Sequence, residues 1–150
     1  MHYKKSQIAT LLIGIMFLFS LTFGIAYVNQ WGNSPLTLTS FLIVTSILAL
    51  ITVLFYKLTV EIDGKVLKLT YGIGLIKFKF QIDKLEKIQT IKIPWHYGLG
   101  IRLTSQGILY NIHGLKAVKI KYSNSGKSKS MMIGTAEPEL LKEAFEKSFL

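Results

Sequence analysis

The chain has 150 residues, a formal net charge of +10, no cysteine and a mean hydropathy of +0.41. Hydrophobic residues make up 50% of it and charged residues only 17%, whereas a soluble domain carries about a quarter charged residues. These values exclude a disordered chain, a disulfide-stapled scaffold and a purely soluble protein.

The charge deficit is concentrated in two apolar runs. Residues 8–28 and 36–56 are each 21 residues long and hold no charged side chain. A helix of that length spans about 31 Å, close to the ~30 Å hydrocarbon core of a bilayer. Because the connecting loop is short, the two helices must be antiparallel neighbours. We therefore expect a cytoplasmic tail at 1–7, transmembrane helices at 8–28 and 36–56, and a loop at 29–35.

Positive charge flanks this hairpin, and its loop carries none. Lys4 and Lys5 precede it, and from Lys57 onward there are 16 basic and 8 acidic residues. The positive-inside bias therefore predicts that both termini and the following domain are cytoplasmic, at the cell (inner) membrane. A cleaved signal peptide is disfavoured, because the apolar run is longer than a usual h-region and cleavage would place the basic domain outside.

The apolar runs contain no ionisable residue, which argues against a transporter or channel built from one chain. Ser20 and Gly24 form a small-residue pair that either packs the two helices together or makes a homo-oligomer contact. Tyr3 and Tyr56 lie where an aromatic belt at one membrane interface is expected.

Residues 57–150 have the period-2 pattern of short strands, and Asp63-Gly64 is a tight hairpin turn. At the end of the chain, Leu141, Ala144 and Phe145 belong to an apolar helical stripe. The pattern predicts a mainly-β antiparallel sandwich or barrel of about seven strands, closed by one C-terminal α-helix.

Three strings in this domain carry a family resemblance: YGLGIRLT at 97–104, GILYN at 107–111 and IGTAEPEL at 133–140. They resemble the bacterial pleckstrin-homology-like (PH-like) membrane proteins, in which a transmembrane hairpin precedes the domain. The resemblance covers essentially the whole chain and implies a PH-like barrel and membrane anchoring, but no activity. PH domains that recognise phosphoinositide headgroups use a long basic loop between the first two strands, and here that connection is Asp63-Gly64.

The residues offer no recognisable active site. His96 and His113 lack a partner at catalytic or metal-binding spacing, and without cysteine a metal site would need distant ligands. Glu61 and Asp63 are interpreted as a solvated strand edge. We expect no enzyme activity, no cofactor and no metal. Nucleic acid is not expected either, because no recognition motif is present.

Two surfaces are candidates for binding. The lysines Lys77, Lys79, Lys119 and Lys121 alternate along strands, and form either a solvated sheet face or a contact with an anionic membrane surface. The second candidate is the loop that follows Pro94.

In this loop, Trp95, His96 and Tyr97 either pack under the end of the barrel or form an interaction patch with Arg102. Arg102 is the only arginine in the sequence. It either forms a salt bridge, with Glu86 or a glutamate of the C-terminal helix, or clamps a carboxylate or phosphate.

The sequence thus predicts a membrane-anchored PH-like interaction or scaffolding module at the cytoplasmic face. Its partner is another protein or a second copy of the chain. The alternative is a sensor of anionic lipid or a small ligand that uses the lysine-rich sheet face. A free strand edge or an apolar groove favours the first hypothesis, and a lysine-lined concavity at the membrane-facing end favours the second.

Overall fold

A computed structural model describes residues 2–149 of the chain. In chain order the elements are β1 (His2–Ile8), α1 (Thr10–Val28), α2 (Leu38–Phe55), β2 (Lys57–Asp63), β3 (Val66–Tyr71), β4 (Ile76–Gln81), β5 (Lys84–Lys92), a 3₁₀ turn (Trp95–Tyr97), β6 (Gly100–Thr104), β7 (Gly107–Asn111), β8 (Lys116–Asn124), β9 (Lys127–Gly134) and α3 (Pro138–Phe149).

The two apolar runs form α1 and α2, which are long and apolar enough to cross a membrane. Their side chains are all exposed or half-buried, as expected of a surface that is solvated by lipid. The Thr37 hydroxyl accepts a hydrogen bond from the backbone N–H of Ser40 and caps α2. At the loop end of the hairpin, the rings of Tyr27 and Phe41 stack at 4.7 Å.

The segment before the hairpin is a strand rather than a free tail. β1 pairs antiparallel with β2, from His2 opposite Asp63 to Ile8 opposite Lys57. The Ala9 N–H donates to the Tyr56 carbonyl at 2.8 Å, so this pairing reaches the start of the helices. The strands that enter and leave the hairpin are therefore neighbours, and the hairpin and its sheet form one continuous unit.

Tyr3 lies away from the helix end at which the sequence predicts a membrane interface. It is on β1 opposite Ile62, five residues before the helix end of the strand, and it packs against the domain core. At about 3.4 Å per residue this places Tyr3 roughly 17 Å from that end. Burial and the nearby carboxylate of Glu137 raise the pKa of its hydroxyl.

The strands form two sheets. The first sheet has the order β1-β2-β3-β4, a meander in which each strand pairs antiparallel with the next. The second sheet has the order β5-β8-β9-β7-β6. Its β7 and β9 are parallel, from Ile108 opposite Met131 to Tyr110 opposite Ile133, and its other pairs are antiparallel.

The expected barrel of about seven strands is wrong, because residues 2–149 contain nine strands in two sheets that do not close on each other. Within this described part, β4 pairs with β3 alone, and β6 with β7 alone. The chain leaves the first sheet at Ile82 and Asp83, and β5 then pairs with β8 instead of β4. The extra strand β1 pairs with the side of β2 that does not face β3. To close a barrel, that side of β2 would have to pair with the second sheet.

The core lies between the two sheets and under α3. α3 packs on β5, β8 and β2, and so contacts both sheets. Its stripe of Leu141, Ala144 and Phe145 is buried, as the sequence predicts. The core side chains from the sheets include Leu58, Val60, Leu67, Leu69, Tyr71, Tyr110, Val118, Ile120 and Ile133.

Candidate functional site

The four candidate lysines lie on two different sheets. Lys77 and Lys79 are exposed on the outer face of β4, between side chains that point to the core. Lys119 and Lys121 lie on the outer face of β8, on the other side of that core. The structure therefore does not bring these lysines together into one surface.

The second pair of lysines has partners within the protein. Lys119 Nζ donates to Gln106 Oε1 at 3.0 Å, and Lys121 Nζ lies 3.6 Å from a Glu86 carboxylate oxygen. Together with Lys87 they line a concave region of about 590 Å³. A lysine-lined concavity therefore exists. Its distance from the helices decides whether it lies at the membrane-facing end, as the lipid-sensor hypothesis requires.

Contacts between the sheets show which end of the second sheet is close to the helices. Gln7, next to the helix end of β1, donates to the Gly134 carbonyl at 3.3 Å and accepts from the Ala136 N–H at 3.0 Å. Gly134 pairs with Ala117 on β8. Lys121 is four residues farther along that strand, about 14 Å from this end. The concavity therefore lies toward the end of the domain remote from the hairpin.

The aromatic loop after Pro94 has two different parts. Tyr97 is half-buried against a small apolar cluster on the outer face of the second sheet, which includes Leu109 and Met132. Trp95 points away from the protein and is 81% exposed. The loop thus covers a sheet face and does not close a barrel end, and Trp95 is its free aromatic side chain. The exposed His96 ring stands edge-on to both neighbouring rings.

Arg102 lies on the outer face of β6 and its guanidinium packs over Gly98, where a Cβ would be 3.2 Å from it. Its expected partner Glu86 contacts Lys121 and Ser128 instead. Among residues 2–149, no carboxylate lies within 4.0 Å of the Arg102 side chain. The expected salt bridge is therefore missing from the described residues, and the guanidinium is available to a ligand.

The strand that carries Arg102 is one of the two edge strands of the second sheet, and β5 is the other. β6 pairs with β7 on one side, and its other side has no strand neighbour within residues 2–149. Ile101 lies opposite the core residue Tyr110 of β7, and Leu103 lies on the same face of the strand, but both side chains are exposed. Leu103 is 86% exposed. The strand alternation alone predicts that both side chains face inward. It does not predict that they remain exposed there.

An apolar groove of about 590 Å³ runs along this edge. Its one wall is the base of the hairpin, with Leu12, Ile51 and Phe55, and its other wall is β6, from Leu99 to Leu103. The site therefore combines unpaired backbone groups, exposed apolar side chains and one arginine beside the helices. Arg102 is a candidate from the sequence alone, but the groove is not, because the contact between hairpin and β6 depends on the tertiary structure.

A second cluster, on the outer face of the first sheet, brings together His2, Glu61 and Asp63. The ammonium of Lys68 already lies 3.1 Å from a Glu61 oxygen and 3.9 Å from an Asp63 oxygen. The hydrogen bond from Lys68 holds the pKa of Glu61 below its ordinary value. A lysine thus supplies the positive charge that these carboxylates need, and the cluster is explained as a cross-strand ion-pair network.

The buried tyrosines have raised pKa values for a structural reason. Burial raises the pKa of Tyr71, Tyr110 and Tyr122 above the ordinary tyrosine value. The Tyr71 hydroxyl lies in the core without a hydrogen-bond partner among residues 2–149. These groups line the interface between the sheets and not the groove along β6.

Comparisons with protein-family models, with curated proteins and with solved structures find no match to this chain. The function must therefore be inferred from the geometry of the open edge.

Proposed function

We propose that this protein is a membrane-anchored interaction module whose PH-like domain receives an extended segment of a partner protein along β6. One observation carries the proposal: an unpaired strand with exposed apolar side chains borders an apolar groove. Proteins commonly bind extended peptides by adding a strand to such an edge. No catalytic role and no cofactor are part of the proposal.

The chemistry of the edge defines the chemistry of the partner. Backbone hydrogen bonds to β6 provide affinity without sequence preference, and alternate side chains provide specificity. One set of side chains would enter the groove beside Ile101 and Leu103 and must be apolar. The other set would face Arg102, which favours a carboxylate because the guanidinium binds it bidentately. The expected partner segment therefore alternates apolar and acidic residues.

We further propose that the hairpin spans the membrane with the β domain on the cytoplasmic side. The support is the lysines on both sides of an uncharged loop. In intact cells, a cysteine replacing Ser34 should react with a membrane-impermeant reagent and one replacing Ser125 should not. Labelling at position 125 alone would indicate the opposite orientation, with the β domain outside.

The alternative function, a sensor of anionic lipid or a small ligand on a lysine-rich face, has weaker support. Lys119 and Lys121 contact Gln106 and Glu86, and the concavity beside them is remote from the helices. Lys77 and Lys79 face the other side of the sandwich. Four lysines in two separate pairs offer less attraction to one surface than a single cluster would.

A charge-swap experiment tests the proposed function. The full chain in lipid nanodiscs is titrated with two labelled peptides of alternating sequence, one valine–glutamate and one valine–lysine. Wild type should prefer the acidic peptide. Arg102→Glu should weaken the acidic peptide about tenfold, the effect of one charge-assisted hydrogen bond, and strengthen the basic one.

Leu103→Lys should weaken both peptides, because it fills the groove side of the edge with charge. Gln81→Lys, on the edge strand of the first sheet, serves as the matched control and should change neither affinity. Equal affinities of both peptides for wild type and Arg102→Glu would contradict the proposal. The mass of the protein without peptide can be measured after the lipid is removed. A mass equal to two chains would indicate that the occupant of the edge is a second copy.

A further inference from the structure

The turn between β3 and β4 has an unusual composition for a surface turn. It runs Gly72-Ile73-Gly74-Leu75 and contains no polar side chain. Ile73 is 61% exposed and Leu75 is 71% exposed. Turns that face water are built mainly from polar residues with glycine or proline. Two neighbouring exposed aliphatic side chains at a turn therefore need an apolar environment outside the protein.

The turn is fixed to the end of α2. The Gly72 N–H donates to the Lys57 carbonyl at 2.7 Å, and the Gly72 backbone packs directly against the carbonyls of Val53 and Leu54. Its φ of +53° and the absence of space for a Cβ both require glycine at this position. Because the contact is backbone to backbone, the turn lies at the same level as the last turn of the helix.

The level of α2 in a bilayer follows from its length. The helix has 18 residues, about 27 Å at 1.5 Å per residue, against a hydrocarbon core of ~30 Å. Val53 and Leu54 are one or two residues from its end, hence within about 3 Å of the hydrocarbon boundary. A turn that contacts their carbonyls lies at this boundary too.

We infer that the turn 72–75 inserts Ile73 and Leu75 among the lipid acyl chains of the leaflet in which α2 ends. The inference rests on the membrane anchor of the proposed function and adds a contact outside the hairpin. The occupant is lipid, because the apolar surface of the turn is continuous with the apolar surface of α2. With the helices and this turn in the same leaflet, the domain has a fixed tilt, and the β6 edge stays at a constant height.

The same geometry distinguishes among the lysines. β4 leaves the turn at about 3.4 Å per residue, so Lys77 lies about 7 Å beyond Leu75, and Lys79 about 14 Å beyond it. The side chain of Lys77 lies toward the turn, where a Cβ on Gly74 would be 3.4 Å from Lys77 Cε. Lys77 is therefore placed at headgroup level, whereas Lys79 lies about a Debye length farther from the membrane.

Fluorescence quenching tests this inference on the full chain. The native tryptophans are replaced (Trp31→Phe, Trp95→Phe), and one tryptophan is introduced as Ile73→Trp, Val53→Trp or Gln81→Trp. Each protein is reconstituted into phosphatidylcholine vesicles with brominated acyl chains. Tryptophan at 73 should be quenched nearly as strongly as at 53 and several-fold more strongly than at 81, the far end of β4.

The controls separate this inference from the proposed anchor. Strong quenching at Val53→Trp without quenching at Ile73→Trp would overturn the inserted turn and leave the anchor in place. Absence of quenching at position 53 would overturn the anchor itself. Ile73 and Leu75 are both exposed, so their replacement does not disturb the core.

Discussion

The two sheets end in very different edge strands. β4, the edge of the first sheet, carries Lys77 and Lys79 on its outer face. On its inner face, Phe78 and Phe80 pack against Tyr110 of the second sheet, with ring centroids 5.2 and 5.8 Å apart. Edge lysines oppose the addition of another strand, and the inner aromatic residues are already in use. The β4 edge is therefore protected against the addition of a partner strand.

β6, the edge of the second sheet, has neither form of protection. Arg102 is its one charged residue, and Leu103 is exposed beside the groove. A long-lived apolar edge is an aggregation hazard unless something covers it. The difference between β4 and β6 is what the proposed function rests on. The first sheet is joined to the helices through β1 and β2, and the β6 edge of the second sheet has no strand neighbour within residues 2–149.

The largest effect is expected where the two sheets are held together. Phe145 is fully buried in α3, which contacts both sheets, and it stacks on Phe149 at 5.8 Å. Phe145→Asp would bury a charge, and should cost about 3–5 kcal/mol of the 5–15 kcal/mol that stabilise a typical domain. Limited proteolysis in detergent micelles should then cleave the β domain.

Leu140→Asp is the matched control for this variant, because Leu140 lies on the same helix and is 51% exposed. It should keep the protease resistance of the wild type. If Phe145→Asp is equally resistant, α3 does not hold the sheets together.

A smaller effect in the opposite direction is expected inside the first sheet. The Tyr71 hydroxyl is buried without a hydrogen-bond partner in the described residues, and its ring stands edge-on to Phe55. Tyr71→Phe removes this desolvated hydroxyl and should raise the free energy of unfolding by about 1 kcal/mol. Urea unfolding measures it, with Tyr3→Phe as a half-buried control. A loss of stability in Tyr71→Phe would show that the hydroxyl has a partner.

The elements predicted best from the sequence are those with uniform patterns. α1 and α2 lie within the runs 8–28 and 36–56, because an uninterrupted apolar run of membrane length fits few structures besides a spanning helix. β1 is not predicted, because its half-covered residues include Lys5 and Gln7. These side chains contact Glu137, Gly134 and the backbone of the β9–α3 loop, not an apolar core, so the alternation has no hydrophobic signal.

Sheet order and the candidate site are predicted less well, for one common reason. A period-2 pattern identifies a strand but not its neighbours, so the parallel pairing of β7 with β9 and the open edge at β6 could not be read from it. The sequence does predict that Arg102 faces outward. Among residues 2–149 no carboxylate lies near it, because the sheet order places β5, which carries Glu86, at the opposite edge of the sheet, where Glu86 contacts Lys121.

The smallest expected effect concerns the outer face of the first sheet, where Lys4, Glu61 and Lys68 lie side by side on β1, β2 and β3. The Lys68 hydrogen bond lowers the pKa of Glu61 below its ordinary 4.5, so the folded state favours the carboxylate. The resulting stabilisation is complete above pH 4.5 and is lost as the pH falls through the lowered value.

Because the pair is partly solvated, its contribution should be at most about 0.5–1 kcal/mol. Between about pH 5 and pH 3, wild type should therefore lose more stability in urea unfolding than Glu61→Gln, by no more than that amount. Glu143→Gln, which removes an exposed carboxylate 3.6 Å from Lys147 on α3, should retain the pH dependence of the wild type. Equal losses of stability in Glu61→Gln and wild type would mean that this row of charges does not stabilise the fold and is only a solvated surface.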